Sequence, residues 1–157
     1  MKKLFIYYSL TGNGDLVAEF LKNKNFDIRK VTEKKKMPKK FFFMVLSGGF
    51  RAGIGAKAKL VDYDNNVSDY DEVVIGSPIW NGRFPPAIKS VLLETELKDK
   101  KLSFIFYSGS GEGKKAEEKV KKEYPTANIV FLKEPKKYPE QLKKVEIFRY
   151  IFRSFLY

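Results

Sequence analysis

The chain has 157 residues, of which 43% are hydrophobic and 15% aromatic, and carries a formal net charge of +12. That suits one domain burying roughly two-thirds of its unfolded surface, and it is too apolar for a disordered chain. The complete lack of Cys and His excludes disulfides, thiolate nucleophiles, Cys-ligated zinc or iron–sulfur centres, His-based triads and most transition-metal sites.

The opening Met1-Lys2-Lys3 and the apolar Leu4-Phe5-Ile6-Tyr7-Tyr8 imitate a short signal peptide. The run stops at Thr11-Gly12-Asn13-Gly14-Asp15 with no small-residue cleavage site after it, and no stretch approaches a transmembrane span. The sequence therefore reads as cytoplasmic.

Extended and helical patterns then alternate, which predicts βαβ units on a parallel sheet. The first strand is expected at about residues 3–8. The first helix is expected at about 13–24, where Leu16, Val17, Phe20 and Leu21 recur at helical spacing. A short strand at about 26–31 follows. Residues 34–62 are ambiguous. A helix starting near Pro38 suits proline at a first helical position, the run Phe41 to Leu46 fits a strand almost as well, and 49–62 reads as a loop. The third strand is Glu72-Val73-Val74-Ile75, whose unbroken apolar character suits a strand covered on both faces. Pro85 and Pro86 open a helix with Ile88, Val91, Leu92 and Thr95 on one face. A strand from Leu102 to Tyr107, a helix over about 113–124 and a strand from Ile129 to Leu132 follow. A last helix is expected over about 138–156, carrying Leu142, Val145, Phe148, Phe152 and Phe155. Five such units without internal repeats predict one three-layer α/β/α domain spanning residues 1–157, with a five-stranded parallel sheet and right-handed connections.

Ligands on such sheets bind beyond the carboxyl ends of the strands, and three loops there have unusual content. The first is Ser9-Leu10-Thr11-Gly12-Asn13-Gly14. Its hydroxyls, amide and glycines at a helix N-terminus form a cradle for a phosphate, although a plain turn with an Asn cap explains the same residues. It is neither a Walker loop nor the Gly-x-Gly-x-x-Gly pattern. Asp15 beside it suits the helix dipole but would repel a dianion. The second loop, Gly76 to Pro86, frames Pro78, Ile79, Trp80, Asn81 and Gly82. The single tryptophan of the chain is placed there to stack on a planar ring, or else to lid the core. Gly82 permits a cheap change of peptide orientation. The third loop, Ser108-Gly109-Ser110-Gly111-Glu112-Gly113, can lie flat against a ligand or act as a flexible turn. A chain without His or Cys that offers such loops borrows its chemistry from a phosphorylated cofactor.

Taken together the loops resemble those of flavodoxins. The resemblance runs along the whole chain and is strongest in Ser9-Leu10-Thr11-Gly12-Asn13 and in Tyr70 to Gly82. It implies the sheet order 2-1-3-4-5, with flavin mononucleotide (FMN) at the switch between strands one and three. It places the FMN phosphate on Ser9 to Gly14, the isoalloxazine ring against Trp80 with Pro78 to Gly82 along its edge, and Ser108 to Gly113 on the other side. Three departures stand out. Gly14 replaces a usual Thr or Ser, the third loop lacks a covering aromatic, and the surface is basic where electron-carrying flavodoxins are acidic.

These features imply electron transfer through non-covalently bound FMN, with an acidic redox protein as partner and no catalytic side chain or metal. An alternative is an FMN-dependent oxidoreductase passing hydride from NAD(P)H to a quinone-like acceptor, with the bare third loop admitting a second planar molecule. A third reading, a basic non-redox module holding nucleic acid through Lys34–Lys40 and Phe41–Phe43, is disfavoured because such charge runs usually form solvated faces. The wide apolar arc of the last helix, with Ile147, Phe148, Ile151, Phe152 and Phe155, packs on the sheet, forms a dimer contact or rests on an anionic membrane surface.

Overall fold

The structure, a computed structural model, describes residues 1–35, 40, 43 and 57–147. Five parallel strands form one sheet in the order β2-β1-β3-β4-β5. They are β1 (Lys3–Tyr7), β2 (Asp27–Lys30), β3 (Glu72–Pro78), β4 (Lys101–Ser108) and β5 (Asn128–Lys133). The helices are α1 (Asn13–Lys22), α2 (Pro86–Glu94) and α3 (Lys114–Glu123).

Each strand sends alternate residues to opposite faces of the sheet, and each face is covered. Leu4, Ile6, Val73, Ile75, Phe104 and Phe106 pack with Ala87, Ile88 and Val91 of α2 and with Ala116 and Val120 of α3. Phe5, Tyr7, Val74, Ile105 and Leu132 pack with Val17, Ala18 and Leu21 of α1 and with Val145. The result is a three-layer α/β/α fold of the flavodoxin type. Burying each of these large apolar side chains contributes ~1.5–3 kcal/mol. The central strands are mostly apolar because water reaches neither face, with Ser77 and Ser103 among the buried polar side chains within them.

The five expected strands and the expected helices after β1, β3 and β4 are present, with shifted ends. β3 runs on through Gly76, Ser77 and Pro78, which the sequence assigns to a loop. The extra register with β4 reaches Pro78↔Tyr107. Gly76 belongs there because a methyl group on it would stand 2.4 Å from Cζ of Phe5 and 2.8 Å from Cβ of Tyr7, whose rings stack at 5.1 Å. Pro85 caps α2 in extended conformation and Pro86 opens it. Thr95 ends that helix, and its hydroxyl lies 2.6 Å from that of Tyr63. The expected loop over 49–62 is described only from residue 57, and there Leu60 forms an antiparallel bridge with Glu33. Most of the helix expected from near Pro38 lies outside the described residues. The last helix starts as a 3-10 turn, Pro139–Leu142, and is helical through 143–147. Its remainder, with most of the apolar arc expected to pack on the sheet, form a dimer contact or rest on a membrane, lies outside the described residues.

No helix among the described residues is long and apolar enough to cross a membrane.

Candidate functional site

The three loops all leave the carboxyl edge of the sheet, as parallel strands require. The first connects β1 to α1, which is where the order reverses between β1 and β3. Gly12 caps α1 with φ 89°, a left-handed conformation that glycine adopts freely. The first helical bond then runs from the Leu16 amide to the Gly12 carbonyl. The amides of Thr11, Gly12 and Asn13 have no acceptor among the described residues. Three open donors at a helix N-terminus suit an anion. The neighbouring polar groups shape the loop. The buried Ser9 hydroxyl accepts from the Gly14 amide at 3.1 Å, and Asn13 Nδ2 donates to the Thr11 hydroxyl at 3.1 Å. Leu10 and Thr11 are exposed, Gly12 and Asn13 half-buried, Ser9 and Gly14 buried.

Asp15 is not the bare charge its position suggests. Its Oδ1 lies 2.6 Å from Lys30 Nζ and accepts from the Tyr7 hydroxyl at 2.8 Å. Burial opposes ionisation of this carboxyl, but hydrogen bonds from Lys30 and Tyr7 outweigh it and hold its pKa below the ordinary value. Lys30, at the end of β2, thus offsets the repulsion that Asp15 would exert on an anion.

In the second loop, Trp80 and Arg83 exchange both backbone hydrogen bonds, at 2.9 and 3.0 Å, and φ is positive at Asn81 (49°) and Gly82 (74°). This is a two-residue hairpin turn, and Asn-Gly is the pair that tolerates it. The Gly82 carbonyl also accepts from the Ala116 amide at 2.8 Å. These bonds hold the peptides on both sides, so reorientation is confined to the Asn81–Gly82 peptide. The free reorientation expected of Gly82 is therefore narrowed. Asn81 is exposed, whereas Pro78 and Gly82 are half-buried.

Trp80 is only 5% exposed, and its indole meets the Tyr8 ring edge-on at 6.0 Å and 71°. An open stacking platform is thus not what the structure presents; the indole lies in the core beneath the turn. Ile79 and Gly113 are buried too. A methyl group on Gly113 would stand 3.0 Å from Cγ2 of Ile79, so this glycine permits close packing of loop on loop.

The third loop is an internally bonded turn. The Ser108 hydroxyl accepts from the amides of Gly111 and Glu112, both at 3.0 Å. Gly111 takes φ 79°. Gly109 and Ser110 are exposed, and a methyl group on Gly109 would meet nothing within 4 Å.

Several residues here carry no motif in the sequence. Lys136, in the turn after β5, donates its amide to Asn13 Oδ1 at 3.0 Å and its Nζ to the Thr11 carbonyl at 3.4 Å. It ties that turn to the first loop across most of the chain. Tyr107 of β4 is fully buried, donates its hydroxyl to the Tyr8 carbonyl, and has its pKa raised, chiefly by burial. Glu33 approaches the N-terminus of α2. Burial raises its pKa, partly offset by hydrogen bonds from the Ala87 amide and the Tyr8 hydroxyl. Its Oε1 is buried without a partner among the described residues.

An open parallel sheet in this order, with a glycine-turned helix N-terminus at its switch point, defines the mononucleotide-binding α/β class. The flavodoxin family pattern matches residues 54–151, more than half of the chain, and the chain belongs to that family. Solved structures share the fold. A candidate flavoprotein from Bacteroides eggerthii superposes with a TM-score of 0.68 at 20% identity, covering 90% of this chain and 96% of that one. One from Bacteroides uniformis gives 0.64 at 21% identity, covering 82% and 88%. A flavoprotein from Lactobacillus acidophilus, solved in complex with FMN, gives 0.55 at 20% identity, covering 82% and 89%. No curated protein matches the chain.

Proposed function

We propose that this chain binds FMN at the carboxyl edge of its sheet and transfers electrons through it. The observation that carries the reading is the left-handed Gly12 at the start of α1, which presents the open amides of Thr11, Gly12 and Asn13 at the switch point of a flavodoxin-family sheet. The donor set fits a phosphate: backbone amides, the neutral Thr11 hydroxyl, and an Asp15 already paired with Lys30. Family membership and the FMN complex of the Lactobacillus acidophilus flavoprotein support the same cofactor.

Thr11 to Asn13 would hold the phosphate, with Ser9 and Gly14 bracing the loop from within. The Pro78–Gly82 turn would border the ring on one side, with Trp80 beneath it, and Ser108 to Gly111 on the other. When bound, the flavin supplies one- and two-electron redox chemistry that no side chain of this protein can supply. The protein's part is to orient the ring, exclude water from its buried side and surround it with fixed dipoles. No protein acid or base is needed.

The visible spectrum of purified protein mixed with FMN tests this. Bound-flavin bands and quenched fluorescence are expected; a spectrum identical to free FMN would reject the reading. The oxidoreductase alternative draws on the third loop, which carries no covering aromatic and exposes Gly109 with nothing within 4 Å of a methyl group placed there. Steady oxidation of NAD(P)H by the loaded protein would select it over the carrier.

A further inference from the structure

The three cleft loops meet at Tyr107. This residue of β4 immediately precedes the third loop. Its carbonyl accepts from the Ile79 amide of the second loop at 3.0 Å. Its side chain turns to the first loop, where the hydroxyl donates to the Tyr8 carbonyl. The phenol also backs the far end of that loop, since a methyl group on Gly14 would stand 2.9 Å from Cζ of Tyr107. The ring is buried, and burial raises its pKa, so the hydroxyl keeps its proton and stays a donor.

Tyr107 therefore lies beneath both ends of the first loop. Tyr8 leads into Ser9, the Ser9 hydroxyl accepts from the Gly14 amide at 3.1 Å, and the open amides of Thr11, Gly12 and Asn13 occupy the span between. Lys136 braces that span from the solvent side through Asn13. On the interior side the phenol fixes it. No other donor reaches the Tyr8 carbonyl among the described residues. Removing the hydroxyl leaves a buried acceptor unpaired and lets the start of the loop shift. Amides aimed at an anion serve it only while their backbone is held to within about 0.5 Å. The second and third loops are closed by other bonds, the Trp80–Arg83 backbone pair and the Ser108 hydroxyl. The loop that offers donors to a phosphate and the loops that would border a ring thus depend on different groups.

We propose that Tyr107 is a positioning residue, whose hydroxyl sets the open amides of the first loop for a phosphate monoester and so makes the cleft select FMN over riboflavin. The proposal rests on the reading of that cleft as the cofactor site. Tyr107 touches no cofactor atom in this role; it acts through the Tyr8 carbonyl and Gly14.

FMN and riboflavin share the ring and differ in the phosphate, so paired dissociation constants, read from quenching of flavin fluorescence, test it. The parent should bind FMN the more tightly. Tyr107→Phe should bind FMN at least about tenfold more weakly, as for one lost charge-assisted hydrogen bond, and riboflavin within about twofold of the parent. Tyr63→Phe removes another phenol hydroxyl, bonded to Thr95 at the far end of α2, and should leave both constants within about twofold. Gly14→Ala presses on the phenol from the loop side and should reproduce the selective loss of FMN, which carries the test if Tyr107→Phe does not fold. Equal weakening of both flavins by Tyr107→Phe would reduce the hydroxyl to a general stabiliser and overturn the proposal, as would unchanged FMN binding. A parent that binds neither flavin would overturn the cofactor reading and this inference with it, whereas a parent that binds FMN with a variant that binds it equally well overturns the inference alone.

Discussion

At position 14 the side chain of a neighbour dictates the residue. A Cβ on Gly14 would stand 2.4 Å from the Tyr107 hydroxyl oxygen and 2.9 Å from Cβ of Ser9. The hydroxyl-bearing residue that flavodoxins usually place here has no room, because a buried phenol occupies the volume. Gly14→Ala is therefore expected to cost ~1–3 kcal/mol by overpacking, measured as a shift in the urea midpoint. Trp80 is decided the same way. Its buried indole packs against Tyr8, so Trp80→Ala should lower stability by ~3–5 kcal/mol. Trp80→Phe should keep the fold and weaken FMN binding less than about tenfold, since the ring contact then rests mainly on the turn above. A much larger loss of affinity in a stably folded Trp80→Phe protein would return the indole to the role of stacking partner.

At the scale of elements, the site is three turns whose shapes are held from within. The Asn81–Gly82 turn is closed by the Trp80–Arg83 pair and tied to α3 through Ala116. Gly82→Ala has space, the nearest atoms being 3.7 Å away on Lys115, but φ 74° is costly for an L-residue. A loss of ~1–2 kcal/mol is expected, again read from denaturation. The third loop is tied down by Ser108, whose hydroxyl gathers two amides. The first is tied to the β5 turn by Lys136. A cofactor bound at this edge, as proposed, would meet preshaped backbone, which reduces the ordering cost of binding.

Across the whole molecule, two carboxyls oppose each other in pH dependence. Asp15 has a lowered pKa, so its contribution is present above its unfolded pKa and lost as pH falls through the folded value. Glu33 has a raised pKa, so the fold favours its protonated form. Its contribution is complete below the unfolded pKa and lost as pH rises through the folded one. Glu33→Gln should consequently stabilise the protein more at about pH 7 than at about pH 4, measured by urea denaturation at both. An equal effect at the two values would mean that Glu33 titrates alike in the folded and the unfolded chain.

The layer order, the strands and the three cleft loops were legible in the chain because local patterns encode them. Unbroken apolar runs mark strands covered on both faces, 3.6-residue periods mark helices, and Gly, Asn and Pro mark turns. The Asn-Gly pair at 81–82 even carries its turn type in its residues. What the side chains do inside that frame was settled by contacts between residues far apart in the chain. Trp80 lies in the core, where Tyr8, just after β1, meets its indole edge-on. The charge of Asp15 is offset by Lys30 of the neighbouring strand. Gly14 answers to Tyr107, and the first loop is braced by Lys136. None of these pairs leaves a periodic trace, because each depends on a sheet register and a close approach that exist only once the chain is folded.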